Sequence, residues 1–215
     1  MSTRRQLIVL GAGGHAKVLI CALRLAGAPL LGITDPAAQV AQHSVLGVPV
    51  LGDDERVFAY PPQEVELVNG LGCVTSSASR RELFERFSSR GYTFTTVKHP
   101  AAIISPYTSL GEGAQCMAGA IIQAGGTVGA NSILNTGSQV DHDCQIGNHV
   151  HIAPGAILAG DVHVADGAII GAGAVLIQGI HIGAGALVGA GAVVHRRVAS
   201  GERVAGVPAR PMNLG

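Results

Sequence analysis

The chain has 215 residues, and its 14 Lys plus Arg balance 14 Asp plus Glu, so no basic block or interleaved aromatic run offers a nucleic-acid footprint. Aromatic residues make up 3% and Trp is absent, which leaves Ile, Val, Leu and Ala to build the core; Gly, at 31 residues, is about twice its ordinary share. Mean hydropathy is +0.39, yet no apolar run reaches the ~18 residues of a membrane span. The first eleven residues hold two arginines and only four apolar residues, short for a secretory h-region, so a cytoplasmic protein is expected. Cys21, Cys73, Cys116 and Cys144 show no CxxC spacing and read as free, buried thiols.

Residues 7–10, Leu-Ile-Val-Leu, read as a buried parallel strand. Gly11-Ala12-Gly13-Gly14-His15-Ala16 follows. Lys17 to Gly27 reads as a helix with Val18, Leu19, Ala22, Leu25 and Ala26 on its apolar face, and residues 30–34 return as a strand ending at Asp35. A βαβ unit with a Gly-x-Gly-x-x-Ala turn brings backbone N–H groups and a helix N-terminus to a phosphate. The roughly 95 residues before the repeat described next are too few for a six-stranded dinucleotide fold, but half of such a fold holds one nucleotide diphosphate. Val65 to Gly70 reads as a strand, Leu71-Gly72 as a turn, and Ser79 to Ser89 as a helix whose Arg80, Arg81, Glu82, Glu85 and Arg86 form a solvated face. Thr93 to Val97 leads to a junction at His99-Pro100. The chain thus divides into a nucleotide-binding domain over residues 1–98 and a repeat domain with a C-terminal tail over 99–215.

From Ile104 to Val194, every sixth residue is Ile, Leu or Val, with Cys116 the single exception among sixteen positions. The fourth position after each is mostly small, as in Ala114, Ala120, Gly126, Ala156 and Ala174. A period of six suits neither a helix nor a coiled coil; it suits short flat strands joined by tight corners. The pattern resembles the hexapeptide-repeat family, in which three hexapeptides make one triangular coil. That resemblance implies a left-handed parallel β-helix, here of about five coils, with residues 18 apart stacked at ~4.8 Å. Outward apolar residues such as Ile121, Ile133, Ile157 and Ile169 ask for burial against neighbouring prisms, as in a homotrimer.

Four stretches together resemble one family along nearly the whole chain: Gly11 to His15, His99 to Pro106, Val140-Asp141-His142-Asp143-Cys144, and Gly206-Val-Pro-Ala-Arg210. They are similar to the nucleotide-sugar N-acetyltransferases of the bacillosamine and perosamine pathways, with bacterial sialic acid O-acetyltransferases as close relatives. The resemblance implies acetyl transfer from acetyl-CoA to the amine of a nucleotide-linked 4-amino-4,6-dideoxy sugar, for bacterial surface glycan synthesis. It matches the catalytic base to His142, its acidic neighbour to Asp143, and a histidine near the thioester to His151. It lines the nucleotide pocket with Gly13, Gly14, His15, Asp35 and Gly72, and lays acetyl-CoA along Ala172 and Ala190. Pro36 stands where the uridine-using enzymes often carry a second acid, which weakens a UDP-linked substrate and leaves room for a GDP-linked one. The chemistry needs a neutral imidazole to take the amine proton, an acid to hold its tautomer, and a small neighbour such as Gly160, whose N–H can serve an oxyanion. No metal is expected. The alternatives are sugar O-acetylation and a γ-carbonic-anhydrase-like zinc site drawn from His149, His151, His163 and His181.

Overall fold

The computed structural model describes residues 5–36 and 44–212; the first four residues of the N-terminal stretch and the last three of the tail lie outside them. The N-terminal part runs β1 (Gln6–Leu10), α1 (Gly14–Leu25), β2 (Leu30–Thr34), β3 (Ser44–Val45), β4 (Val48–Gly52), a 3-10 helix (Asp54–Ala59), β5 (Val65–Asn69) and α2 (Ala78–Ser88). The sheet order is β3-β4-β2-β1-β5, parallel except for the β3–β4 hairpin. β1 lies between β2 and β5 and is covered on both faces, which is why it reads as an unbroken apolar run. Leu7 and Val9 pack with Leu19 and Ile20 of α1, while Ile8 and Leu10 pack with Leu83 and Phe87 of α2.

α1 starts at Gly14, three residues earlier than the sequence suggests, because Gly13 is extended and caps it. Its buried face is Ala16, Leu19, Ile20, Ala22 and Leu23, whereas Val18 and Leu25 face outward. The expected face is therefore rotated by about one residue. Cys73, Cys116 and Cys144 are buried free thiols as read, but Cys21 lies on the exposed side of α1.

The second part is a triangular parallel β-solenoid of two-residue strands, each pairing with the strand eighteen residues away. One face stacks six strands from Ile103–Ile104 to Val193–Val194, and a second stacks five from Ser109–Leu110 to His181–Ile182. The third face has eight, because Val97–Lys98 adds a strand at one end and Arg203–Ala205 and Arg210–Pro211 add two at the other. The stack thus runs past the about five coils that the repeat alone suggests. The solenoid also begins within the junction, since Val97–Lys98 pairs with Gln115–Cys116. The phased Ile, Leu and Val residues fill the prism with the small residues between them; each fully buried one contributes roughly 1.5–3 kcal/mol.

Every sixth residue from 113 to 191 turns a corner with positive φ. Gly holds this position except at Asn131, Asp143, His149 and Asp161. Asn, Asp and His are the non-Gly residues that adopt this left-handed conformation most readily.

The N-terminal part lies on the third face. The outward residues Gln115, Ile133, His151 and Ile169 are all buried there. Ile133 and Ile169 are therefore covered within the chain and do not call for a neighbouring prism, unlike Ile121 and Ile157. The first face keeps its apolar stripe, with Ile103 63% and Ile157 39% exposed. Among the described residues no helix is long and apolar enough to cross a membrane.

Candidate active site

His142 and Asp143 form the corner between the first and second solenoid faces. Asp143 takes φ 60°, which turns its carboxylate back along the corner, and Oδ2 accepts from His142 Nδ1 at 2.8 Å. That bond fixes the tautomer: Nδ1 carries the hydrogen and Nε2 keeps its lone pair. The His142 N–H donates to Asp141 Oδ1 at 2.7 Å. The Asp143 hydrogen bond, then the charges of Asp141, Asp143 and Asp161, hold the His142 pKa above its ordinary value. His142 and Asp143 are both exposed.

The coils on either side put Ala124 and Gly160 at the same corner. A Cβ on Gly160 would lie 2.5 Å from both Nε2 and Cε1 of His142, so the imidazole occupies the space that a side chain there would fill. A Cβ on Gly125 would run into Asp143 Oδ1. Glycine on one neighbouring coil thus seats His142, and glycine on the other seats Asp143. Cys144, two residues from His142, is inward, fully buried and donates to Ala159 O at 3.2 Å. Burial raises its pKa, so it is a core thiol and a poor nucleophile.

The residues read as a nucleotide pocket gather at the carboxyl ends of the central strands. Gly11 N–H donates to Thr34 O, and Asp35 N–H donates to Gly52 O, which brings the glycine loop beside the end of β2. A Cβ at Gly13 or Gly14 would meet nothing within 4 Å, so the start of α1 is open. Gly72 packs on His15, its would-be Cβ 3.4 Å from that of His15.

Behind this loop is a polar seam that the sequence does not announce. Arg80, expected on a solvated face, is 1% exposed. It donates to Asn69 O, Leu71 O and Asn131 O at 2.7–3.1 Å, while Arg81 and Glu85 are exposed as expected and pair with each other. α2 lays one side against the solenoid, with Ser77 on Gly167, Arg80 on Asn131 and Phe84 on His149, so one position of its charged stripe is buried. Asn69 Nδ2 donates to Asn131 Oδ1, and Asn131 Nδ2 donates to His149 Nδ1. His151 is buried in the same seam. Its Nδ1–H donates to Cys73 O at 2.9 Å, and Nε2 accepts from Asn135 at 3.1 Å. Burial pushes its pKa down to about 4. Arg80, Asn131 and Asn135 escape a search for reactive clusters; the non-Gly corner at Asn131 is the signal that could have found one of them.

Ala172 and Ala190 are exposed and stacked, linked by Gly191 N–H to Ala172 O at 2.8 Å. They lie at the corner between the third and first faces. The chain therefore does not bring them to His142, which sits on another edge of the prism. His163 and His181 stack at 4.5 Å on the second face, away from His149 and His151.

Known proteins share the sequence pattern and fold of this chain. Residues 6–87 match the family described as PglD N-terminal domain, and residues 125–160 and 143–178 match bacterial transferase hexapeptide (six repeats). The acetyltransferase domain of PglB from Neisseria gonorrhoeae FA1090, in complex with acetyl coenzyme A, is 35% identical, with a TM-score of 0.90 over 98% of this chain and 100% of that one. PerB from Caulobacter crescentus, in complex with CoA and GDP-perosamine, is 38% identical, with a TM-score of 0.89 over 98% and 99%. GDP-perosamine N-acetyltransferase of Escherichia coli O157:H7 is 39% identical over 83 residues, which are 39% of this chain and 38% of that protein. The chain belongs to the hexapeptide-repeat nucleotide-sugar N-acetyltransferases.

Proposed function

We propose that this protein transfers the acetyl group of acetyl-CoA to the amine of a GDP-linked 4-amino-4,6-dideoxy sugar, with His142 as the base. The observation that carries this is the corner itself: an exposed imidazole with Nε2 free, held by Asp143 and seated on Gly160. In the reaction the amine nitrogen attacks the thioester carbon, His142 Nε2 takes one proton from it, the C–S bond breaks, and the imidazolium passes that proton to the departing CoA thiolate. Asp143 stabilises the imidazolium, and the Gly160 N–H serves the oxyanion. Gly13, Gly14, His15, Asp35 and Gly72 receive the nucleotide. A GDP-linked substrate is favoured by the likeness to PerB over nearly the whole chain.

Acetyl-CoA lies along Ala172 and Ala190 in this reading. Because that track and His142 are on different edges of one prism, they meet only where two copies pack side by side. A homotrimer joined through the first-face stripe of Ile103, Ile121, Ile157, Val175 and Val193 supplies that arrangement. His151, committed to the Cys73 loop, supports the seam from behind. Dependence on acetyl-CoA fits a cytoplasmic enzyme. The test is an acetyl-transfer assay with GDP- and UDP-linked amino sugars, alongside light scattering. Turnover of the GDP-linked amine by a trimer is expected; a stable, fully active monomer or transfer only to hydroxyls contradicts the reading.

A further inference from the structure

Asn69 ends β5, and its main-chain carbonyl can only accept. It receives Gln115 Nε2 at 2.8 Å and Arg80 Nη1 at 2.8 Å. The Gln115 amide must therefore turn its nitrogen to Asn69 and its oxygen to His15, since the reverse sets two acceptors face to face. Gln115 Oε1 lies 2.7 Å from His15 Nε2, so that nitrogen carries the ring hydrogen and Nδ1 is left with its lone pair. His15 itself stands in the first turn of α1, beside the open glycine loop and partly accessible.

We infer that His15 meets the nucleotide sugar as a neutral hydrogen-bond acceptor, taking a ligand O–H or N–H at Nδ1, and not as a cation for the phosphates. This rests on the reading that the Gly13–His15 loop receives the nucleotide. The surroundings oppose a proton on His15. Arg80, a fully buried guanidinium whose hydrogen-bond acceptors are all carbonyls, lies behind it, and His151 shares the seam. Burial first, then Arg80 and His151, bring its pKa down to about 4 despite the Gln115 bond. The ionised phosphates of a nucleotide sugar have no hydrogen to give Nδ1, whereas the ribose and sugar hydroxyls do. Arg80 and Gln115 are positioning residues here: they set the tautomer from behind the loop.

The test has two readouts. The first is a long-range proton–nitrogen NMR correlation on protein carrying 15N-labelled histidine, with His15 assigned by its absence in His15→Gln. At about pH 7.5 and again at about pH 5.5, Nδ1 should resonate as an unprotonated nitrogen and Nε2 as a protonated one. The second is calorimetry with GDP and 2′-deoxy-GDP at about pH 7.5. His15→Gln, which keeps a donor for Gln115 but no acceptor at Nδ1, should bind GDP about tenfold more weakly, the scale of one lost hydrogen bond. His15→Asn, whose amide oxygen can stand near the place of Nδ1, should stay within a few-fold. If the His15→Gln loss vanishes with 2′-deoxy-GDP, the donor is the ribose hydroxyl; if it appears only with a GDP-linked sugar, the donor is on the sugar. An imidazolium or an Nδ1–H tautomer at about pH 7.5, or tighter GDP binding by His15→Lys, overturns the inference alone. No GDP binding by the unaltered protein overturns its ligand half together with the functional reading.

Discussion

Asp143 Oδ2 accepts a hydrogen bond from His142 Nδ1 at 2.8 Å across adjacent residues, a reach available because residue 143 turns the corner at φ 60°. The acid that holds the His142 imidazole and the residue that bends the chain are the same residue.

That pairing fixes the pH response. A base held above its ordinary pKa by Asp143 stays protonated to higher pH, so the acid limb of kcat should lie above the usual imidazole range. Asp143→Asn should move that limb to lower pH and cost less rate than loss of the base. An acid limb that does not move in Asp143→Asn would show that another group titrates.

Gly160→Ala tests the seat of the imidazole. The new methyl lies 2.5 Å from His142 Nε2, and the exposed ring can swing away. The variant should keep a near-normal melting temperature and lose roughly one to two decades in kcat, since a misplacement of about 1 Å costs on the order of a hundredfold. Unchanged kcat would mean that the base does not act from this position.

Acid should weaken the fold through the seam. His151 has a folded pKa of about 4 against an ordinary 6.5. Its neutral form is the folded one, so its contribution is complete above about pH 6.5 and is lost as pH falls toward 4. By linkage the loss for His151 is about 2 kcal/mol at pH 5. Denaturant melts at about pH 7.5 and pH 5 should show it, and His151→Gln should flatten the difference. Equal stability at the two pH values would place His151 in contact with water.

The solenoid was legible because its signal repeats: one inward residue in six over sixteen positions admits one architecture. The juxtaposition of His142, Asp143 and Gly160 was legible through the Val140 to Cys144 motif and the spacing of eighteen that places Gly160 beneath His142. Arg80 was not, since a charged helix stripe looks the same whether or not one member meets another domain. β3 and β4 are not evident because Ser44–Val45 is only two residues long and Pro49 interrupts Val48–Gly52. Ile133 and Ile169 carry the same outward phase as Ile121 and Ile157, and sequence periodicity does not say which face the N-terminal part will cover.

The most direct measurement is turnover of His142→Ala at saturating acetyl-CoA and GDP-linked amino sugar, in protein shown to be folded and to bind both. If His142 is the base, kcat should fall by roughly two to four decades while both substrates bind nearly as before. A variant that stays within a few-fold of the parent would leave proton removal to water or another residue and contradict the account.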